Sequence, residues 1–218
     1  MKEFLCGVIE GFYGRPWTMK QRLEVFSWMQ GWGMNTYMYG PKDDLKMRAA
    51  WRELYDDSEL NDLRMLLKAC KEKNISFVYT IAPGLDIRYA DSNDLQALVK
   101  KVDQLLNEGV EHLCVLFDDI PHSMNEEDKK RFGSFAKAQA YVANTLLEHT
   151  RQHTDGLFLF CPTDYCERMA RPSVSESIYL QELGEHLHGD VDVFWTGPEI
   201  VSETISPQSI RELQRVLQ

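Results

Sequence analysis

Asp118 and Asp119 follow directly on the apolar run Leu113–Phe117 (LCVLF). Two adjacent carboxylates ending a buried strand are costly unless they are solvated, paired or used. Close carboxylates also push each other's pKa values apart, so one can stay ionised while the other carries a proton near neutrality. That division suits general acid and base work, and glycosidic cleavage in particular, where a protonated carboxyl assists the leaving oxygen. The dipeptide itself is not rare: Asp43-Asp44 and Asp56-Asp57 occur as well. Asp56-Asp57 lies in a polar stretch just before a helical pattern and reads as N-terminal capping. Asp43-Asp44 sits in a long loop. Only Asp118-Asp119 ends a strongly apolar run, although a capping or surface acidic pair is the plain alternative there too.

Other chemistries find little support. The cysteines (Cys6, Cys70, Cys114, Cys161, Cys166) are odd in number and form no CxxC pair. Cys6, Cys114 and Cys161 lie in apolar runs, where Cys acts as a small hydrophobe, so a reducing compartment is expected. The six histidines (112, 122, 149, 153, 186, 188) have no HExxH or CxxC company, and His186 and His188 merely flank Leu187 near a helix end. No metal and no cofactor is therefore expected. The first loop, EGFYG, is not GxGxxG, and no P-loop occurs, which disfavours a nucleotide fold.

The acidic balance, 24 Lys and Arg against 34 Asp and Glu for a net charge of −10, argues against nucleic acid. The longest basic cluster, Lys129-Lys130-Arg131, follows Glu126-Glu127-Asp128 and reads as a solvated helix face. No stretch approaches the 18 or so apolar residues of a membrane span, and no signal-peptide pattern is seen. A cytosolic or nuclear location is expected. With 44% hydrophobic and 27% charged residues in 218, the chain has the composition of a globular domain.

The elements that must position the carboxylates are legible in outline. Six β-branched and aromatic runs, at 4–9, 35–39, 76–81, 112–117, 156–160 and 191–195, are mostly apolar throughout. That is the mark of parallel strands buried on both faces. Helical patterns separate them. Leu63, Leu66, Leu67 and Cys70 form one stripe, and Leu95, Leu98, Val99, Val102, Leu105 and Leu106 a longer one. Further helices are expected over 18–30, from Phe132 to about His149, and over 178–187 and 209–217, with Thr18, Ser92 and Ser209 as cap signals. Nearly every strand runs into Gly, Pro, acidic and aromatic residues. A βα barrel gathers such loops at one mouth, whereas an open sheet concentrates them at one switch point. The fold class expected is α/β, of (β/α)8 TIM-barrel type. At about 37 residues per unit, some six of the eight βα units are present.

Six segments then carry a more specific signal: GVIEGFYGRPW (7–17), NTYMYGPKDD (35–44), APGLD (82–86), FDDI (117–120), CPTDYC (161–166) and WTGP (195–198). Together, and in this order, they resemble the catalytic domain of the β-N-acetylglucosaminidases of glycoside hydrolase family eighty-four. These enzymes remove N-acetylglucosamine (GlcNAc) from Ser and Thr of nuclear and cytosolic proteins. The resemblance covers nearly the whole chain and implies substrate-assisted, retaining catalysis. The 2-acetamido oxygen of the substrate attacks the anomeric carbon and forms an oxazoline, so no carboxylate nucleophile is needed. It implies that Asp118 orients the acetamido N–H and that Asp119 is the general acid, then the base. By the same resemblance Gly11, Lys42 and Tyr165 contact the sugar. The plain alternatives are a turn glycine, a lysine paired to Asp43 or Asp44, and a packing aromatic. Trp17 and Trp195 could stack on sugar, with core packing the simpler reading. Asp164 stands where close relatives carry Glu.

The family barrel has eight strands. After the WTGP strand it continues with a Trp-Asp-Asn motif that this sequence does not contain. Residues 1–218 are thus expected to be an incomplete TIM-barrel catalytic domain, without the stalk and C-terminal domains. The partners expected are GlcNAc-modified proteins, with no nucleic acid and no membrane; either the sequence is a fragment, a short isoform or an incompletely predicted gene, or another chain completes the barrel. A catalytically inactive or sugar-binding variant is the competing expectation. A relative acting on extracellular N-acetylhexosaminides is a weaker one.

Overall fold

In the computed structural model, residues 4–120 and 123–217 are described, and six parallel strands form one sheet curled into a half-barrel. The strands are β1 (Gly7–Glu10), β2 (Thr36–Tyr39), β3 (Ser76–Ile81), β4 (His112–Leu116), β5 (Phe158–Cys161) and β6 (Asp192–Val193). They are hydrogen-bonded in sequence order. The helices are α1 (Met19–Gly31), α2 (Asp57–Glu72), α3 (Ser92–Asn107), α4 (Glu126–Phe132), α5 (Phe135–Thr150), α6 (Ile178–His186) and α7 (Pro207–Val216). Among the described residues, no helix is long and apolar enough to cross a membrane.

The two faces of the sheet differ in what they bury. Outward residues Tyr37, Phe77, Tyr79, Leu113, Val115, Phe158 and Phe160 meet Phe26 and Met29 of α1, Leu63 and Leu66 of α2, Leu98 and Leu105 of α3, and Leu146 of α5 in the main core. The inner face carries a smaller cluster of Met38, Val78, Cys114 and Leu159, with Leu116 and Phe194 against it. Ile9 is in register with Met38 but remains 55% exposed, because β1 is an outer strand of the curled sheet.

The helix starts have local causes. Thr18 caps α1 in a reciprocal box with Gln21, and Asp56 caps α2 in the same way with Glu59. Two caps shift from expectation. Asp91 rather than Ser92 caps α3. Ser206, followed by Pro207 at the first helical position, caps α7 in place of Ser209. Phe132 closes α4 instead of opening the next helix: Gly133 adopts φ +78 and Ser134 caps α5. Asp128 is not solvated. It is buried and accepts the Ala90 N–H at 2.6 Å, docking α4 on the β3–α3 loop. Cys6 is exposed rather than packed, since the strand begins only at Gly7. The last strand is shorter than its apolar run, with Phe194 adding one further backbone bond to Phe160.

Candidate active site

The site lies where β1, β2, β4 and β5 end. Phe117 closes the β4 run, fully buried, with its N–H on the Cys161 carbonyl at 2.9 Å. The backbone turns immediately afterwards: Asp119 has φ +52, a left-handed conformation that Asp tolerates better than most residues but that still costs about 1 kcal/mol. The turn sends the two carboxylates to separate partners. Asp118 Oδ2 accepts from Lys42 Nζ at 2.7 Å, with the two side chains 17% and 5% exposed. Asp118 Oδ1 is buried and finds no hydrogen-bond donor among the described residues. Asp119 is exposed, and its Oδ2 accepts from the Tyr13 hydroxyl at 3.3 Å.

Lys42 therefore bonds across the mouth to β4 and not to Asp43 or Asp44, its simpler partners in sequence. Its own N–H reaches the Phe12 carbonyl at 3.3 Å, tying the β2 loop to the β1 loop. Asp44 is occupied elsewhere: its Oδ2 accepts from Tyr39 and Tyr55 hydroxyls, each at 2.7 Å, and its Oδ1 from the Lys46 N–H at 3.0 Å. Behind β1, Glu10 is fully buried. It accepts from Arg22 at 2.8 and 2.9 Å and from the Tyr37 hydroxyl, so the charge at that strand end is neutralised on the outer side.

Gly11 follows Glu10 at the rim. A Cβ built there would press on Ile9 Cγ2 at a tight 3.2 Å and meet nothing else within 4 Å, so a side chain at this position is opposed only by its own strand and otherwise faces the mouth. Tyr165 is buried. Burial first, then the charges of Asp119 and Asp118, push its phenol up to about 12, which keeps it a hydrogen-bond donor near neutrality. Burial, followed by the Asp118 charge, pushes the Cys161 thiol well above its usual range, so it stays neutral beside the carboxylates.

The five residues singled out in the sequence thus meet at one mouth, and Tyr13 joins them. A phenol inside the EGFYG loop was its one sequence signal. The tryptophans do not join. Trp17 packs on Phe12 with ring centroids 5.3 Å apart and its N–H on Glu10 Oε1 at 3.0 Å. It lines a cavity of about 270 Å³ on the outer side of the sheet, with Arg22, Tyr39 and Leu66. Trp195 packs on the cluster of Ala170, Val174, Leu180 and Leu213. His122 lies outside the described residues.

Comparison with known proteins agrees with this architecture. Residues 6–218 match the family model described as beta-N-acetylglucosaminidase. The chain belongs to that family. Two relatives, the Protein O-GlcNAcase of Rattus norvegicus and that of Mus musculus, are each 45% identical over 216 residues, covering 99% of this chain. The match spans 23% of each relative, so this chain corresponds to about a quarter of their length. A mutant of the Thermobaculum terrenum O-GlcNAc hydrolase superposes with a TM-score of 0.91 at 35% identity, over 98% of this chain and 46% of that one.

Proposed function

We propose that this domain hydrolyses β-linked GlcNAc from Ser and Thr of proteins, with retention of configuration through an oxazoline intermediate. The observation that carries this reading is Asp118. One of its oxygens is held by Lys42, and the other is a buried acceptor without a donor among the described residues. A buried acceptor of that kind is costly until a donor arrives, and the acetamido N–H of the sugar is such a donor.

The steps follow. The acetamido carbonyl oxygen attacks the anomeric carbon as the bond to the Ser or Thr oxygen breaks. Protonated Asp119 gives its proton to that leaving oxygen. Asp118 accepts the N–H and balances the positive charge that develops on the oxazoline ring, and Lys42 holds Asp118 in place. Asp119, now a carboxylate, takes a proton from water. The water oxygen bonds to the anomeric carbon from the leaving-group side and reopens the acetamide. Holding an intramolecular nucleophile in line supplies much of the acceleration. Tyr165 donates beside the acetamido group. Gly11 leaves room for the sugar, and Lys42 has further N–H groups for its hydroxyls.

The similarity to the rat, mouse and bacterial relatives supports this substrate class, and GlcNAc-modified proteins would bring the domain to the cytosol or nucleus. The exposure of Ile9 on the inner face supports closure of the barrel by strands from further sequence, in this chain or in another. The second reading is a domain that binds sugar without turning it over.

Calorimetric titration with a GlcNAc thiazoline, a stable mimic of the oxazoline, tests the site. Binding weakened about 10- to 100-fold in Asp118→Asn is expected. No binding, or equal binding by the variant, would contradict the assignment. Turnover of an aryl β-GlcNAc glycoside then separates hydrolysis from binding alone.

A further inference from the structure

At the far end of the helical layer, α3 and α5 pack side by side. Each helix runs back antiparallel to the strand before it. Their C-terminal turns therefore lie at the end of the sheet opposite Asp118. Asp103 stands in the last turns of α3, His149 in the last turn of α5, and His153 in the turn that follows. His149 Nε2 and Asp103 Oδ1 are 2.5 Å apart, and the His149 and His153 rings lie with centroids 5.4 Å apart. One ligating atom from each of the three lies within 4.8 Å of the other two.

The spacing has a backbone cause. Residues four apart share a helix face, and the helical turn continues past α5. His153 N–H bonds the Thr150 carbonyl at 2.9 Å, and Arg151 Nη1 clamps the Gly156 carbonyl at 2.6 Å. His149 and Asp103 are half-buried, while His153 is exposed and leaves one side open to water. A helix–helix tie needs only Asp103 and His149. It does not need a second imidazole with a ring nitrogen within 4.8 Å of the same carboxylate.

We propose that Asp103, His149 and His153 bind one divalent transition-metal ion of the zinc type, with water completing the shell. Two imidazoles and one carboxylate suit Zn²⁺, Co²⁺, Ni²⁺ or Cu²⁺, whereas Mg²⁺ and Ca²⁺ prefer all-oxygen shells. Tetrahedral bonds of about 2.0–2.2 Å set donor atoms roughly 3.3 Å apart. The Asp103–His149 pair must then open by under about 1 Å while His153 swings in. The ion would join α3 to α5, the helices on either side of β4. It would be a structural clamp remote from the mouth, independent of the hydrolytic reading.

The test uses the full chain in a Cys6→Ser background, which removes the exposed thiol as a competing ligand. Titration with ZnCl₂ should show one ion per chain. Saturation at a hundredfold excess over Kd should raise the melting midpoint by about 5–10 °C, and MgCl₂ should do nothing. His153→Gln alters an exposed side chain and leaves the Asp103–His149 contact intact. It should weaken zinc binding at least about tenfold, and His149→Gln at least as much. Absence of zinc binding, a melting midpoint unmoved by zinc, or undiminished binding in His153→Gln would overturn the proposal and leave a plain helix–helix hydrogen bond.

Discussion

The loop after β2 and the loop after β5 each deliver one side chain to the mouth, Lys42 and Tyr165, and they are held by opposite means. The β2 loop is held by charge. Asp44 gathers two tyrosine hydroxyls and two backbone amides, and Arg52 bonds both Asp86 and Asp94. Lys101, fully buried under the Tyr55 ring, caps the Lys46 and Glu53 carbonyls. The β5 loop is held chiefly by neutral groups, its Arg168–Glu199 ion pair being long at 3.3 Å and solvent-exposed. Thr163 Oγ1 donates to the Phe117 carbonyl at 3.0 Å and accepts from Gln139 at 2.8 Å. The Tyr165 carbonyl accepts the Thr196 N–H at 2.9 Å, and Glu167 N–H reaches the Gly197 carbonyl at 2.9 Å. A cationic group must be set against Asp118, and burying it requires that every neighbouring charge be paired. A phenol needs only shape and hydrogen bonds. The first loop should therefore be brittle and pH-sensitive, and the second tolerant.

The largest effect expected is at the charged contact itself. Lys42→Met leaves the Asp118 carboxylate without its cation and should cost about 3–5 kcal/mol in urea unfolding. Adding Asp118→Asn should restore part of that, and an unchanged midpoint in the single variant would show that the pair is not a support. Asp44→Ala is expected next, at about 2–3 kcal/mol, because it orphans the Tyr39 and Tyr55 hydroxyls and two amides.

The same loop predicts a pH signature. Burial is the main cause that lowers Lys101 from its ordinary 10.5 to about 8. Between these values the unfolded chain holds a proton that the folded chain has released. Unfolding free energy should then rise with pH from about 8 to 10.5, by roughly 1 kcal/mol per unit. Lys101→Met should flatten that rise in unfolding curves taken at several pH values. The smallest effect belongs to the β5 loop: Thr163→Val should cost about 1 kcal/mol and leave the pH profile unchanged. A larger loss there than in Asp44→Ala would reverse the comparison.

What could be read in the sequence follows the same division. The strands, the helices and the carboxylates at the end of β4 were visible because period, apolarity and loop chemistry are local. The clustering of Gly11, Lys42, Asp118, Asp119 and Tyr165 was visible only through motif order, since strand ends of a βα barrel converge. Partners far apart in the chain were not visible. Tyr13 meets Asp119 across 106 positions, and Lys42 meets Asp118 across 76. Asp103 lies 46 positions from His149. The break at Gly133 was hidden because the apolar stripe runs through it, and only the left-handed backbone stops the helix.

The central claim is that Asp118 serves the acetamido group and Asp119 the leaving oxygen. Rates of hydrolysis of an aryl β-GlcNAc glycoside and of the matching β-glucoside test it most directly, in the wild-type chain and in Asp119→Asn. The account predicts cleavage of the GlcNAc glycoside alone, slowed about 10²- to 10⁴-fold in Asp119→Asn. Equal cleavage of the glucoside, which has no acetamido group, or an undiminished rate in Asp119→Asn would contradict it.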